Sequence, residues 1–222
     1  MARSVASWML AAGISFGVLG EAEITDGNDV KALGEKELFE HVAQENIAKF
    51  NAAGVKKIIT LSPHAFNTMK NDYPALGGAF SVYHYTQVMD RRRGASKTGA
   101  FNARVAYHDP CYLGRWNQEY QAPRNILRSV IGLKLIELDR AMGNALCCGG
   151  GGGNYYTDIL GSGADSPARN RIREAGNTGV EIVAVSCPIC YKMLDDALKD
   201  EGLEDRMKVM EISEVLAAAG DA

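Results

Sequence analysis

Five cysteines are the residues of this chain best suited to chemistry, and all of them fall between positions 111 and 190. Cys111 is followed after 35 residues by the adjacent pair Cys147 and Cys148, and after 38 more by Cys187 and Cys190 in the run CPIC. Thiolates are ligands for soft metals and iron–sulfur clusters. An adjacent pair closes a strained ring and makes a poor disulfide. Five thiolates also exceed the four ligands of a tetrahedral zinc, whereas a cluster of several irons has a position for the fifth. The pair opens onto five glycines, Gly149 to Gly153. Bare backbone there lets N–H groups approach cluster sulfides and raise the potential, with Gly149 and Gly150 the nearest candidates.

Cys147 and Cys148 are expected closest to the reacting iron. His108, beside Cys111, is expected to orient its loop or to donate a proton to a leaving thiolate. His64 and His41 carry no case beyond packing or solvent. Two other readings of the cysteines stay open at this point: a non-catalytic structural or docking subunit in which a single metal site, a cluster or a zinc ion on clustered thiolates, merely holds the cysteine-bearing part together, and a metal-free thiol–disulfide centre at Cys187 and Cys190. The glycine run lacks the Lys-Ser/Thr ending of a phosphate-binding loop and the GxGxxG spacing after a first strand, which argues against nucleotide binding.

The elements that must position these residues are strands alternating with helices. Strand-like runs rich in Val and Ile occur at 15–20, 55–61, 82–85, 103–109, 133–138, 181–186 and 209–212. Between them lie amphipathic stretches such as 35–54, with Leu38, Val42, Ile47 and Phe50 on the apolar face. This alternation predicts an α/β fold of parallel sheets flanked by helices. In such sheets ligands collect beyond the carboxyl ends of the strands. Cys111 follows the strand-like RVAYHDP and Cys187 follows EIVAVS, where a helix with Pro188 in its first turn would stabilise thiolate.

An internal repeat divides the chain. Residues 8–19 match 125–138, residues 58–71 match 182–196, and residues 82–89 match 209–216, in the same order. Two related lobes are expected, residues 1–95 and 96–222, joined near the polar run DRRRGASKTGAFN. The first lobe has Ser62 and Ala65 where the second has Cys187 and Cys190, and EITDGND where the second has the cysteine pair. A counterpart of Cys111 would fall before Met1, so the first lobe is expected to lack its opening strand, as truncation of a longer ancestor would leave it.

Bulk properties remove several function classes. A chain of 222 residues buries enough core to fold without disulfides. A net charge of -3 gives no footprint for nucleic acid. No apolar run approaches a membrane span, and SWMLAAGISFGVLG lacks the basic start and cleavage site of a signal peptide. An odd number of clustered cysteines predicts a reducing cytoplasm.

One cysteine, then a cysteine pair followed by glycine, then CxxC, together with HDPCYLGRWNQEYQAPR (108–124) and LCCGGGGG (146–153), resembles the cysteine-rich CCG domain of the B- and D-type heterodisulfide reductase subunits and related iron–sulfur proteins. The resemblance covers essentially the whole chain as two repeats. It implies a 4Fe-4S cluster on Cys111, Cys147, Cys148, Cys187 and Cys190, which in the heterodisulfide reductases is noncubane and cleaves a disulfide. Cubane and noncubane forms both stay open here. The resemblance also implies electron-supplying partner subunits, either ferredoxin-type iron–sulfur proteins or flavoproteins, and a small disulfide or thiol as substrate. A location at the inner face of the membrane through such a partner fits the same picture. This chain departs from the family in carrying one cysteine motif where the heterodisulfide reductase subunit has two facing one substrate, and it has no ferredoxin-type cysteine run.

Overall fold

Six of the seven Val- and Ile-rich runs become strands, and every one pairs in parallel. A computed structural model describes residues 1–94, 99–161 and 163–220. In chain order its principal elements are α1 (Ala2–Ala11), α2 (Asn28–Ala32), α3 (Lys36–Ala52), β1 (Lys57–Thr60), α4 (Pro63–Asn67), β2 (Ser81–His84) and α5 (Tyr85–Arg91). There follow β3 (Ala100–Tyr107), α6 (Gln121–Arg128), β4 (Ile131–Ile136), α7 (Asn154–Thr157), α8 (Pro167–Asn177), β5 (Ile182–Val185), α9 (Pro188–Asp200), β6 (Lys208–Glu211) and α10 (Ile212–Gly220). The expected boundary between residues 95 and 96 lies outside the described residues.

Strands β1 and β2 form one two-stranded sheet, and the other four form a second in the order β4-β3-β5-β6. From β3 the chain passes through α6 to β4 on one side, then returns to place β5 on the other. The order therefore reverses between β3 and β5, and a crevice opens there beyond the strand ends.

Alternate residues of the central strands feed two cores. Ala106, Val183 and Val185 face α8 and α9, packing with Ile172, Leu194 and Leu198. Val105, Tyr107, Ile182 and Ala184 face the opposite way, against Val5 and Met9 of α1, Met89 of α5, Ile126 of α6 and Val215 of α10. All four residues of β5 are buried, as expected of a parallel strand covered on both faces. A third core gathers Phe39, Ala43, Ile47, Phe66, Tyr73 and Val82 around the smaller sheet. Leu113, two residues after Cys111, is fully buried in that third core. The loop that carries the first cysteine is thereby pinned to the N-terminal half of the chain.

Two expectations from patterning are corrected. Residues 15–20 form no strand; their repeat counterpart β4 pairs only with β3, and among the described residues the N-terminal half offers no counterpart of β3. Without a ladder partner this Gly-interrupted segment stays irregular, with Phe16 and Val18 exposed. In α3 the buried stripe is Phe39, Ala43, Asn46 and Ile47, one residue round from the expected face, and Leu38 is exposed. Asn46 moves the stripe because its amide donates to Thr25 O at 2.8 Å and to Tyr73 Oη at 3.0 Å, so a polar residue belongs on the packed side.

Candidate metal centre

All five cysteines come together at the carboxyl edge of the four-stranded sheet. Cys111 follows β3 and Cys187 follows β5, on the two sides of the order reversal. The His108 N–H donates to Ala184 O at 2.9 Å, tying the two strand ends. Cys187 is the N-cap of α9, with Pro188 opening the helix and Cys190 one turn in. Cys147 and Cys148 arrive on the long connection after β4. Cys148, Cys187 and Cys190 are buried, Cys111 and Cys147 half-buried, and no disulfide joins any of them. The Cys111 and Cys147 sulfurs are 3.9 Å apart. One ring nitrogen of His108 and the sulfurs of Cys148 and Cys190 lie within 4.8 Å of one another.

The thiols interact in series. The hydrogen bond shared with Cys147, in which the Cys111 S–H is the donor that the Cys147 thiolate accepts, and burial push the Cys111 thiol well up. The same bond, helped by Cys148 and by the Gly149 N–H at 3.3 Å, holds Cys147 well down. Cys148 is pushed up by Cys147, and Cys190 by Cys148 and Cys187. Burial would raise Cys187, yet hydrogen bonding with Cys190, the neighbouring His64 imidazole and the helix start keep it below its ordinary value. Five sulfurs sharing protons in this way are a donor set that a metal displaces protons from.

A buried polar frame holds these loops. Arg124 and Asp109 are both buried and joined by a bidentate pair, Nη1–Oδ1 2.6 Å and Nη2–Oδ2 2.9 Å. Arg124 also grips Glu137 through Nε and Nη2, each at 2.8 Å. Asp109 Oδ2 accepts the Met142 N–H at 2.8 Å. One carboxylate therefore fixes both the turn before Cys111 and the connection leading to Cys147. His108 is fully buried, and Arg171 Nε donates to its Nδ1 at 3.3 Å, which places the ring proton on Nε2. Burial and the Arg171 charge push the imidazole down to about 3, so it is neutral.

The glycines do more than leave room for a ligand. Gly149 supplies its N–H to Cys147 Sγ, and Gly149, Gly152 and Gly153 have positive φ. At Gly150 a Cβ would sit 2.5 Å from Ile189 Cγ2 and 2.7 Å from Met193 Cγ, so its clearance is taken by α9. At Gly153 it would sit 2.8 Å from Leu33 of the N-terminal half. The run is thus locked between neighbours.

The sequence pattern gives His64 no case beyond packing or solvent, and the structure packs it beside the thiols. The turn after β1 delivers this buried side chain to Cys187, with the Tyr112 ring 4.3 Å away, centroid to centroid. A Cβ on Gly151 would be 3.7 Å from His64 Nε2. Burial would lower the imidazolium, but the neighbouring Cys187 thiolate, with Asp29 and Asp26, raises it above its ordinary value. Three buried side-chain atoms here, His64 Nε2, His108 Nε2 and Arg171 Nη2, have no hydrogen-bond partner. Two are imidazole donors next to the thiols, which fits a sulfide-bearing cluster. The signal that could have found His64 is positional: it lies two residues after Ser62, the repeat counterpart of Cys187. Trp116 is exposed and stacks on Tyr112 at 5.9 Å, while Tyr120 packs over Gly114. His41 is exposed on α3.

Comparison with known proteins agrees with the geometry. Residues 105–195 match the family described as CCG, cysteine-rich domain. A probable iron–sulfur-binding oxidoreductase of Bacillus subtilis is 36% identical over 98% of this chain and 31% of its own length. An EtfAB:quinone oxidoreductase of Syntrophomonas wolfei is 35% identical over 92% of this chain and 30% of its own. The D-type polypeptide of the dihydromethanophenazine:CoB–CoM heterodisulfide reductase of Methanosarcina barkeri is 31% identical over 93% of this chain and 52% of its own. The chain therefore spans about a third to a half of the length of the curated relatives it matches. Among the described residues no helix is long and apolar enough to cross a membrane.

Proposed function

We propose that this chain, which belongs to the cysteine-rich CCG-domain family, is the iron–sulfur part of a heterodisulfide-reductase-like oxidoreductase, with a 4Fe-4S cluster held by Cys111, Cys147, Cys148, Cys187 and Cys190. The observation that carries the reading is the convergence of five unbridged thiols on one crevice, with one backbone N–H and two imidazole nitrogens beside them. When bound, such a cluster supplies one-electron transfer and an iron that substrate sulfur can approach.

The chain's own residues divide the remaining work. Cys148, Cys187 and Cys190 are the buried anchors; Cys111 and Cys147 stand on the open side, so substrate approach is expected there. Cys147 and Cys148 are assigned closest to the reacting centre. His108, neutral and carrying its proton on Nε2, serves as a hydrogen-bond donor toward sulfur, with Arg171 fixing its tautomer. Gly149 donates its N–H to Cys147, and Gly150 lets α9 pack against the cysteine-pair loop. Residues 1–95 form a lobe without ligands that walls the site, and residues 96–222 form the lobe that holds it.

The reaction assigned is reduction of a small disulfide, RSSR′ + 2e⁻ + 2H⁺ → RSH + R′SH. Electrons come from a partner, a ferredoxin-type iron–sulfur protein or a flavoprotein, in the cytoplasm or at the inner face of the membrane. The test is anaerobic disulfide reduction by the loaded chain with a reduced viologen as donor. Activity lost in Cys147→Ser/Cys148→Ser is the expected result. Full activity in that double variant would replace the cluster reading with a CxxC thiol mechanism at Cys187 and Cys190.

A further inference from the structure

The N-terminal half has no cysteine, yet it places one donor at the thiols. His64 is the second residue of α4, and its side chain is 5% exposed. Ser62 Oγ accepts the His64 backbone N–H at 3.2 Å and lies 3.5 Å from Nδ1. A hydroxyl that accepts from the backbone still has its own proton to give to Nδ1, and Nε2 carries a proton both in that neutral form and in the imidazolium that the Cys187 thiolate favours. Tyr112 lies against one side of the ring, and its hydroxyl contacts Asn28 of the N-terminal half. The imidazole is therefore held in place, with Nδ1 turned to Ser62 and Nε2 left for another acceptor. Its Nε2 nevertheless finds no hydrogen-bond partner of good geometry, although Cys187 is its ionisable neighbour and the glycine loop passes at Gly151. An orphaned buried donor of this kind is costly unless an acceptor completes it.

We propose that His64 is a positioning residue for the metal centre, donating Nε2–H to the Cys187 sulfur, or to the sulfide beside it, and thereby raising the reduction potential. The inference rests on the cluster reading of the five thiols. A hydrogen bond to ligand sulfur withdraws electron density and favours the more negative, reduced state. The Ser62 and His64 positions then explain why a half without ligands keeps the strand–turn–helix shape: it aims a donor across the crevice at the other half's own strand–turn–helix.

The test uses the full chain, prepared anaerobically, with iron and sulfide per chain and the midpoint potential of the cluster as readouts. His64→Phe keeps the ring shape and removes the donor; His64→Gln returns an N–H. Expected is unchanged iron and sulfide in His64→Phe with a shift to lower potential. About a tenfold change in the oxidised-to-reduced ratio at fixed poise corresponds to ~59 mV for a one-electron couple. Most of this shift should be recovered in His64→Gln. A loaded His64→Phe protein with the wild-type potential overturns the inference. Should His64→Phe lose its cluster, Ser62→Ala decides: the ring stays but Nδ1 loses the hydroxyl beside it that orients the ring, so the potential must fall, and an unchanged value overturns the inference. Absence of iron from the wild-type chain would refute the cluster reading itself, and this inference with it.

Discussion

Replacing Arg124 with Met tests whether one buried ion pair positions the metal centre. Arg124 has no exposed side-chain surface and Asp109 has 2%. The substitution leaves the Asp109 carboxylate buried with only the Met142 N–H at 2.8 Å and removes both contacts to Glu137. Breaking one side of a buried pair costs about 3–5 kcal/mol, most of it the stranded charge. For a chain of this size each kcal/mol moves the melting temperature by about 2–4 °C, so a fall of roughly 6–20 °C is expected. Asp109→Asn in the same background removes the stranded charge, and the double variant should recover about 1–3 kcal/mol relative to the sum of the single changes. Anaerobic thermal melts of the four proteins provide the cycle, and iron per chain is measured alongside. Because Asp109 fixes both the turn to Cys111 and the Met142 backbone, iron loading should fall in Arg124→Met and partly return in the double variant. An Arg124→Met protein within about 1 kcal/mol of wild type, with additive changes in the cycle, would refute this account of how the loops are held.

Three further outcomes follow from the same structure. Gly150→Ala should cost about 1–3 kcal/mol and lower iron loading, since its Cβ would lie 2.5 Å from Ile189; a melting curve and iron content check it. Glu211, fully buried, accepts hydrogen bonds from Tyr85 Oη and the Ser213 N–H, and burial raises its carboxyl from 4.5 to about 7. A folded-state value above the unfolded one means stability that is full below about pH 4.5 and lost as pH rises through 7, on the order of 3 kcal/mol in all. Urea titrations between pH 5 and 8 should therefore show a fall that Glu211→Gln flattens. Finally, Leu113→Ala empties a fully buried site and should cost about 2–5 kcal/mol while loosening the Cys111 loop, read as faster loss of iron to a chelator.

The placement of the cysteines was legible because cysteine spacing and strand periodicity are local signals. Runs such as EIVAVS mark β5, so the strand ends that Cys111 and Cys187 follow were located by pattern alone. Residues 15–20 misled because a strand needs a partner, and pairing is not written in the strand's own residues. Leu38 and Phe39 exchanged places because Asn46 finds partners on Thr25 and Tyr73, which are distant in sequence. Arg171 beside His108, and Arg124 beside Asp109, join residues 63 and 15 positions apart. His64 was hidden for the same reason: only the repeat match of Ser62 to the distant Cys187 marks its turn, and that match does not say that the two turns face each other. The lesson of Gly150 is similar, since a glycine that clears space gives no sign of whether a ligand or a neighbouring helix fills it.

The central claim is that five converging thiols hold an iron–sulfur cluster, and elemental analysis of the anaerobically purified chain tests it most directly. The account predicts about four irons and four sulfides per chain, with a brown chromophore lost together with iron when Cys148 is replaced by Ser. One zinc per chain and no iron, or a metal-free protein fully active through Cys187 and Cys190, would contradict it.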